Sequence, residues 1–376
     1  MVAAFPFSEF DFPAQRTLSS TSSSQAGPDF ALEGVKFPLA LESNERDVTS
    51  LDDFVHSIED LASQDAIIPL LNRNGGAILF RRTHAETPDD FSRIAHAFKI
   101  GTYHEELGNP VIRTLLAKNV ATANEGPSTH HVRMHNEFGW SSHYPAFLFF
   151  FCRSAAESGG ETPINNGAEM FVRLQKEVPQ FVDSLAKHGI SYTYQYQEEA
   201  NPNSNLGNSI SRAYPAANLL STDDDETKRR KIEGQVKRHS DEWKWGEDGS
   251  LSVTHRLSAT RRHPYSKIPV YFGNLSSMYH KAKDQNALEY PYKGDDGAYH
   301  HVPTYGDGTE IPREYLEKTL ELIDELRVLV PWQKGDVLLL DNHLTQHARE
   351  PWVGDRRVLA SLWDGPGSLP YVIGEH

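Results

Sequence analysis

The chain has 376 residues, 38% hydrophobic and 24% charged, enough for a sizeable buried core in one large domain or two small ones. Its 37 Lys and Arg against 52 Asp and Glu leave a formal net charge of −15, with no basic block to track a phosphate backbone, so nucleic-acid and anionic-membrane partners are disfavoured. No apolar run reaches the ~18 residues that span a bilayer, the start lacks a basic-then-apolar leader, and the single cysteine, Cys152, reads as a small core residue in a reducing compartment. A cytoplasmic protein with a small-molecule partner is expected.

Residues 1–33 carry Phe-Pro pairs and then a Ser/Thr run over 19–24, a composition that buries little and predicts a flexible low-complexity arm. A single folded domain is expected over 34–376. Residues 51–71 have helical spacing and stop at Asn74-Gly75-Gly76; a short buried strand follows at 77–80. Thr87-Pro88-Asp89-Asp90 opens a helix with a capping hydroxyl, a proline in the first turn and acids near the positive end of the dipole. Residues 146–152 form a continuous apolar strand, 169–187 an amphipathic helix, and 190–196 an alternating strand. Residues 221–247 are highly charged and read as a solvated excursion with an exposed helix over 226–238. Strands return at 270–272, 336–340 and 357–363, with a helix over 312–328 between the first two. Many strands with helices outside them predict an α+β domain with a closed or double-sheet β core.

Within this frame His135-Asn136-Glu137 is the first candidate for chemistry. On an extended segment residues i and i+2 share a face, so His135 and Glu137 can reach one ion, and only a third ligand must come from elsewhere. His347, in Gln346-His347-Ala348-Arg349, can supply it. Two imidazoles and a carboxylate on one face of an octahedral metal form the arrangement of non-haem Fe(II) oxygenases; a closed structural zinc site would call for four ligands with cysteine among them. His130, His131 and His343 compete as ligands, but the buried strand before His343 argues against a helical His343/His347 pair.

Thr162, after the turn Ser158-Gly159-Gly160-Glu161, and Arg357, in Gly354-Asp355-Arg356-Arg357-Val358, extend the site. A guanidinium opening a buried strand needs an anionic partner, and its planar fork fits a carboxylate. Thr162 and Arg357 could together hold the distal carboxylate of a 2-oxo diacid. Arg357 is expected on the face of Leu359 and Ser361, with Arg356 pointing the other way; an internal salt bridge is the alternative for Arg357.

Taken with Gly76-Ala77-Ile78-Leu79-Phe80-Arg81, Thr122-Ala123-Asn124-Glu125 and Pro331-Trp332-Gln333-Lys334-Gly335-Asp336-Val337, these segments resemble the Fe(II)/2-oxoglutarate oxygenases of the taurine dioxygenase and clavaminate synthase superfamily, from about residue 37 to 363. The resemblance implies a double-stranded β-helix (jelly roll) of the clavaminate-synthase-like branch. It implies Fe(II) on His135, Glu137 and His347, and 2-oxoglutarate anchored by Thr162 and Arg357. With O2 as co-substrate, an unactivated C–H bond is oxidised and succinate and CO2 are released.

In that family a glutamate ligand is associated with clavaminate synthase and with hydroxylases of free amino acids, and Ser361 stands where sulfonate users carry a second arginine. A small polar metabolite, a free amino acid or related acid, is therefore expected, with hydroxylation as the default and desaturation or C–N ring closure as alternatives. Candidate substrate contacts are Asn124, Glu125, His131, Arg133, Asn274 and Ser361. The competing readings are a metal- and 2-oxoglutarate-binding sensor of the same fold without turnover, and a cupin-type isomerase or hydrolase.

Overall fold

The computed structural model describes residues 6–19, 32–111, 113–204 and 209–365, and its architecture follows from the strand Phe147–Ser154, whose residues 147–152 are all buried. A strand buried on both faces needs cover on each. Phe147, Phe149 and Phe151 turn to one side and pack with Phe54, Ile58, Phe91 and Ile94. Leu148 and Phe150 turn to the other and join a larger core with Ile164, Val330 and Val358.

In chain order the elements used below are β1 (Phe7–Glu9), β2 (Leu39–Ser43), α1 (Leu51–Ser63), α2 (Ile67–Arg73), β3 (Ala77–Arg81), α3 (Pro88–Ala97), β4 (Val132–His135) and β5 (Phe147–Ser154). After them come β6 (Thr162–Asn166), α4 (Gly167–Glu177), α5 (Pro179–His188), β7 (Ile190–Tyr196), α6 (Asp225–Val236), β8 (Leu251–Leu257) and α7 (Leu275–Asp284). The chain closes with α8 (Arg313–Leu326), β9 (Val328–Val330), β10 (Val337–Asp341), β11 (Thr345–Arg349) and β12 (Arg357–Asp364).

Among the described residues the major sheet has nine strands: eight run β1-β2-β3-β10-β5-β12 and on into Val120–Thr122 and Leu115–Ala117, and the ninth, Thr102–Tyr103, pairs with the end of β12. Its β2–β3 pair is parallel, and β10 and β12 flank β5 antiparallel. The minor sheet runs β9-β6-β11-β4. The two sheets share the larger core, while α1 to α3 cover the outer face of the major sheet. This is a double-stranded β-helix, a jelly roll with surrounding helices, as expected of the α+β class.

Local chemistry sets most boundaries. Thr87 and Asp90 form a reciprocal capping box at α3, with Pro88 in its first turn. The single helix expected over 51–71 is two, parted at Asp65, which takes a positive φ of 52°. The helix expected over 169–187 is likewise two, because Pro179 has no N–H and pushes Val178 out of helical geometry, to φ −139°.

Two expectations are corrected. Residues 6–19, expected in a flexible arm, are part of the fold. Phe7, Phe12 and Leu18 are buried, β1 pairs with β2, and Arg16–Thr17 pairs with Lys36–Phe37. Arg16 ion-pairs with Glu169, whose side chain is 1% exposed, and Ser19 N–H donates to the same carboxylate at 2.8 Å. Composition hides this because one buried acid on α4, far away in sequence, supplies the anchor. Residues 20–31 of that arm lie outside the described residues. The charged stretch 221–247 is also more than a solvated excursion: α6 buries Ile232 and Val236, and Glu242–Trp245 extends a sheet by pairing with β8. Among the described residues no helix is long and apolar enough to cross a membrane.

Candidate metal centre and its cavity

The register of the minor sheet builds the centre. His347 on β11 stands directly opposite His135 on β4, with Ile164 of β6 on its other side. Glu137 follows His135 by two residues, just before Phe138 turns the chain with φ 51°. One ligand atom from each of His135, Glu137 and His347 lies within 4.8 Å of the others. His135 Nε2 is 3.7 Å and His347 Nε2 3.3 Å from Glu137 Oε2.

The far side of each group is arranged to suit this convergence. His135 Nδ1 is 2.8 Å from the carbonyl of Arg133; a proton held there leaves Nε2 with its lone pair toward the other two groups. Glu137 Oε1 accepts from Arg113 at 2.7 Å, so Oε2 is the oxygen presented to the imidazoles. The Glu137 backbone is clamped by one amide: its N–H donates to Asn342 Oδ1 at 2.8 Å and its carbonyl accepts from Asn342 Nδ2 at 3.0 Å. Asn136, on the opposite face, donates to the carbonyl of Asn342 at 2.6 Å and accepts from Gly273 N at 2.7 Å. The chain makes no room to spare here, since a Cβ on Gly139 would lie 2.6 Å from Asn274 Oδ1. Two imidazole nitrogens and one carboxylate oxygen, with no thiolate among them, fit Fe(II).

Burial works against a charge on Glu137, but the Arg113 guanidinium and the bonds from both histidines outweigh it and hold the carboxyl well below its usual range. Burial, then the neighbouring His135, pulls His347 down to about 4, which keeps its imidazole neutral as a ligand must be. Arg113 is buried between Glu137 and Glu106, the latter 3.6 Å away. His343, a competitor on sequence, faces Asp341 instead, at 3.3 Å.

These groups open into a cavity of about 150 Å³. On one side Thr162 Oγ1 accepts from Trp332 Nε1 at 3.0 Å, and the nearest guanidinium nitrogen of Arg356 is 3.5 Å from it. Arg356 is further tied by Nε to the carbonyl of Gly160 at 2.7 Å. Gly160 gives it space: a Cβ there would lie 2.7 Å from Arg356 Cδ.

Arg357, expected in this position, is not in the cavity; its side chain is 57% exposed and pairs with Asp355 at 3.0 Å. The alternation along β12 is as anticipated, but the faces are exchanged. Val358, Ala360 and Leu362 join the core that contains the site, while Leu359 and Trp363 pack beneath the helices. Ser361 belongs to the helix side as well, donating to the carbonyl of Asn119 at 2.6 Å and accepting from Trp363. It does not line the cavity and so says nothing about which anion is taken.

Of the other expected substrate contacts, Asn124, His131, Arg133 and Asn274 line the cavity. Asn124 accepts from Arg349 at 2.9 Å, His131 lies 3.0 Å from Glu350, and Arg133 pairs with Asp284 at 2.7 Å. Glu125 does not line it; it is exposed and accepts from Thr122 at 2.7 Å.

Arg113, Tyr194, Lys281, Arg349 and Arg356 line the cavity without having been singled out for it. The clearest signal is at Arg356, the neighbour of Arg357. Tyr194 had a weaker one, being an inward position of the alternating strand β7. Arg113 lies in a loop and Lys281 on a helix, where spacing gives no hint of what is faced.

A jelly roll presenting two imidazoles and a carboxylate at the floor of a cavity, with a half-buried arginine and a buried threonine on its wall, defines the class of non-haem Fe(II) dioxygenases that use 2-oxoglutarate and O2. The chain belongs to the family described as taurine catabolism dioxygenase TauD, TfdA, which matches residues 46–363. It is 30% identical over 305 residues to a clavaminate synthase-like protein of Arabidopsis thaliana, covering 81% of this chain and 86% of that protein. It is 28% identical over 317 residues to the dapdiamide synthesis protein DdaC of Enterobacter agglomerans, covering 82% and 88%. Among solved structures, a taurine dioxygenase from Burkholderia xenovorans aligns with 16% identity and a TM-score of 0.44 over 81% of each chain.

Proposed function

We propose that this dioxygenase oxidises an unactivated C–H bond of a small polar metabolite, a free amino acid or related small acid, with Fe(II) held by His135, Glu137 and His347. The distal carboxylate of 2-oxoglutarate is assigned to Arg356 and Thr162, so the role expected of Arg357 passes to its neighbour. The observation that carries this reading is the convergence of three ligand atoms within 4.8 Å of one another on a cavity whose wall bears Arg356 and Thr162.

When bound, iron with 2-oxoglutarate and O2 supplies the oxidising power, and succinate and CO2 are released. The chain's own groups bind and orient. Arg356 offers a fork to the carboxylate. Thr162 Oγ1 already accepts from Trp332, which leaves its hydroxyl proton to donate to that same carboxylate. Phe138, Trp140 and Phe150 give the cavity apolar walls that exclude water from the carbon presented to the metal. A relative in dapdiamide synthesis supports a small-molecule substrate. Hydroxylation is the default outcome, and desaturation or C–N ring closure needs no different residues.

The test is succinate release from 2-oxoglutarate with Fe(II) and O2, alone and with a panel of free amino acids and small acids, each product weighed by mass spectrometry. A product heavier by one oxygen, or lighter by two hydrogens, with matching succinate supports the reading. Binding of metal and 2-oxoglutarate with no turnover across the panel would count against it.

A further inference from the structure

Among the described residues five cationic side chains, Arg113, Arg133, Lys281, Arg349 and Arg356, line the cavity, against a single lining carboxylate, Glu137. Four of the five are engaged. Arg113 is held by Glu137 and Glu106, and Arg133 by Asp284. Arg349 donates to Asn124 Oδ1 and to the carbonyls of Pro127 and His130 at 2.8–3.1 Å. Arg356 faces Thr162 at the co-substrate end. Lys281 differs: among the described residues its Nζ has no hydrogen-bond or ion-pair partner, although the side chain is half-buried.

Its position is set by α7. Asn274, Ser277, Met278 and Lys281 all line the cavity, at the i, i+3, i+4, i+7 spacing of one helix face. The start of that face is tied to the metal segment, because Gly273 N donates to Asn136 Oδ1 at 2.7 Å. Lys281 lies seven residues on from Asn274, about 10 Å along the axis. The helix packs beside β4, and Asp284 at its end pairs with Arg133. In the minor sheet β4, beside which α7 packs, is separated from β6, which carries Thr162, by β11, so those two strands lie about 10 Å apart and Lys281 enters from the α7 side.

Among the described residues the acids that act on this ammonium, Asp296 and Asp284, are already engaged, Asp284 by Arg133. Asp296, whose charge acts on it most, is already bonded by His300 Nε2 at 2.8 Å and Ser204 at 2.6 Å. Burial disfavours the charged amine and pulls Lys281 below its usual range. A desolvated amine facing a cavity without a partner gains most from an anion delivered by a ligand.

We propose that Lys281 is the receptor for an acid group of the substrate: the molecule oxidised here carries a carboxylate that pairs with Lys281 on the α7 side, apart from the co-substrate anchor at Arg356 and Thr162. This rests on the dioxygenase reading above and narrows it to carboxylate-bearing molecules, amino acids among them.

The test uses the full chain loaded with Mn(II) and 2-oxoglutarate, titrated calorimetrically with matched probes, pentanoate against pentanamide and L-norvaline against L-norvalinamide. The wild type should bind each acid at least tenfold more tightly than its amide. Lys281→Met should lose that preference, Lys281→Arg should retain most of it, and both should bind 2-oxoglutarate within twofold of the wild type. The proposal is overturned by a preference that survives in Lys281→Met, or by acids that bind the wild type no better than amides or not at all. A parallel loss of 2-oxoglutarate affinity in Lys281→Met also overturns it, since Lys281 then serves the co-substrate. A wild type that takes up neither Mn(II) nor 2-oxoglutarate is a different result, and defeats the dioxygenase reading itself.

Discussion

Arg113 donates to Glu137 Oε1 at 2.7 Å while Oε2 of the same carboxylate faces both His135 and His347. The two oxygens are thus made unequal by a residue 24 positions away in the chain. The guanidinium both fixes the carboxylate plane and compensates a negative charge that burial makes costly. Removing it leaves Glu137 buried with less to hold its orientation.

Arg113→Met should therefore weaken metal binding by about 10–100-fold, the usual range for a partner that orients a ligand. Titration with Mn(II) measures this without turnover. An affinity within twofold of the wild type would show that Arg113 does not position the ligand carboxylate.

Arg356 and Arg357 are adjacent but face opposite sides of β12, one toward Thr162 and the other toward Asp355 in solvent. A buried charge pair lost on one side costs about 2–5 kcal/mol, so Arg356→Ala should weaken 2-oxoglutarate binding by about thirtyfold or more. Arg357→Ala should leave it within twofold. The reverse order, measured by equilibrium binding, would reinstate Arg357.

That pair also marks where the sequence stops being readable. The period of two along residues 357–363 is plain, and so is the pairing of His135 with Glu137, because the two share a face whichever way the strand lies. What the period cannot say is which face meets the site when both are buried. Here one face lies under Phe91 and Ile94 and the other against Ile164 and Val330, and both call for apolar residues. The interrupted helices had a visible cause at Pro179, but none that spacing could reveal at Asp65. Arg113, Lys281 and Arg349 reach the cavity from a loop, a helix and a strand whose relative placement only the tertiary fold sets. The N-terminal arm is hard to read for a related reason: its composition is poor in core residues, yet Arg16 meets an acid 153 positions away.

Glu169 is fully buried, and Arg16 is its ionic partner. Breaking a buried pair from one side leaves an uncompensated charge and costs about 3–5 kcal/mol. Arg16→Met should lower stability by that order in urea unfolding, and adding Glu169→Gln should recover part of the loss. No destabilisation in the single variant would show that residues 6–19 are not needed by the folded body.

His239 and His255 stack with ring centroids 5.0 Å apart, and among the described residues none of their four buried nitrogens has a hydrogen-bond partner. Burial, then the nearby His143 and Arg238, pulls His239 down to about 4, and burial followed by His239 pulls His255 well below its usual range. In the unfolded chain both would titrate near 6.5. Between those values the unfolded state binds protons that the folded state refuses, so stability rises with pH across the window. The contribution is fully present above about pH 6.5 and is lost as pH falls toward 4, at up to about 1.4 kcal/mol per pH unit for each histidine. Unfolding free energies of the wild type should drop between pH 7 and 5, and the double variant His239→Phe, His255→Phe should show a clearly shallower slope over the same range. Equal slopes in the two proteins would mean that this stacked pair does not set the acid limit of the fold.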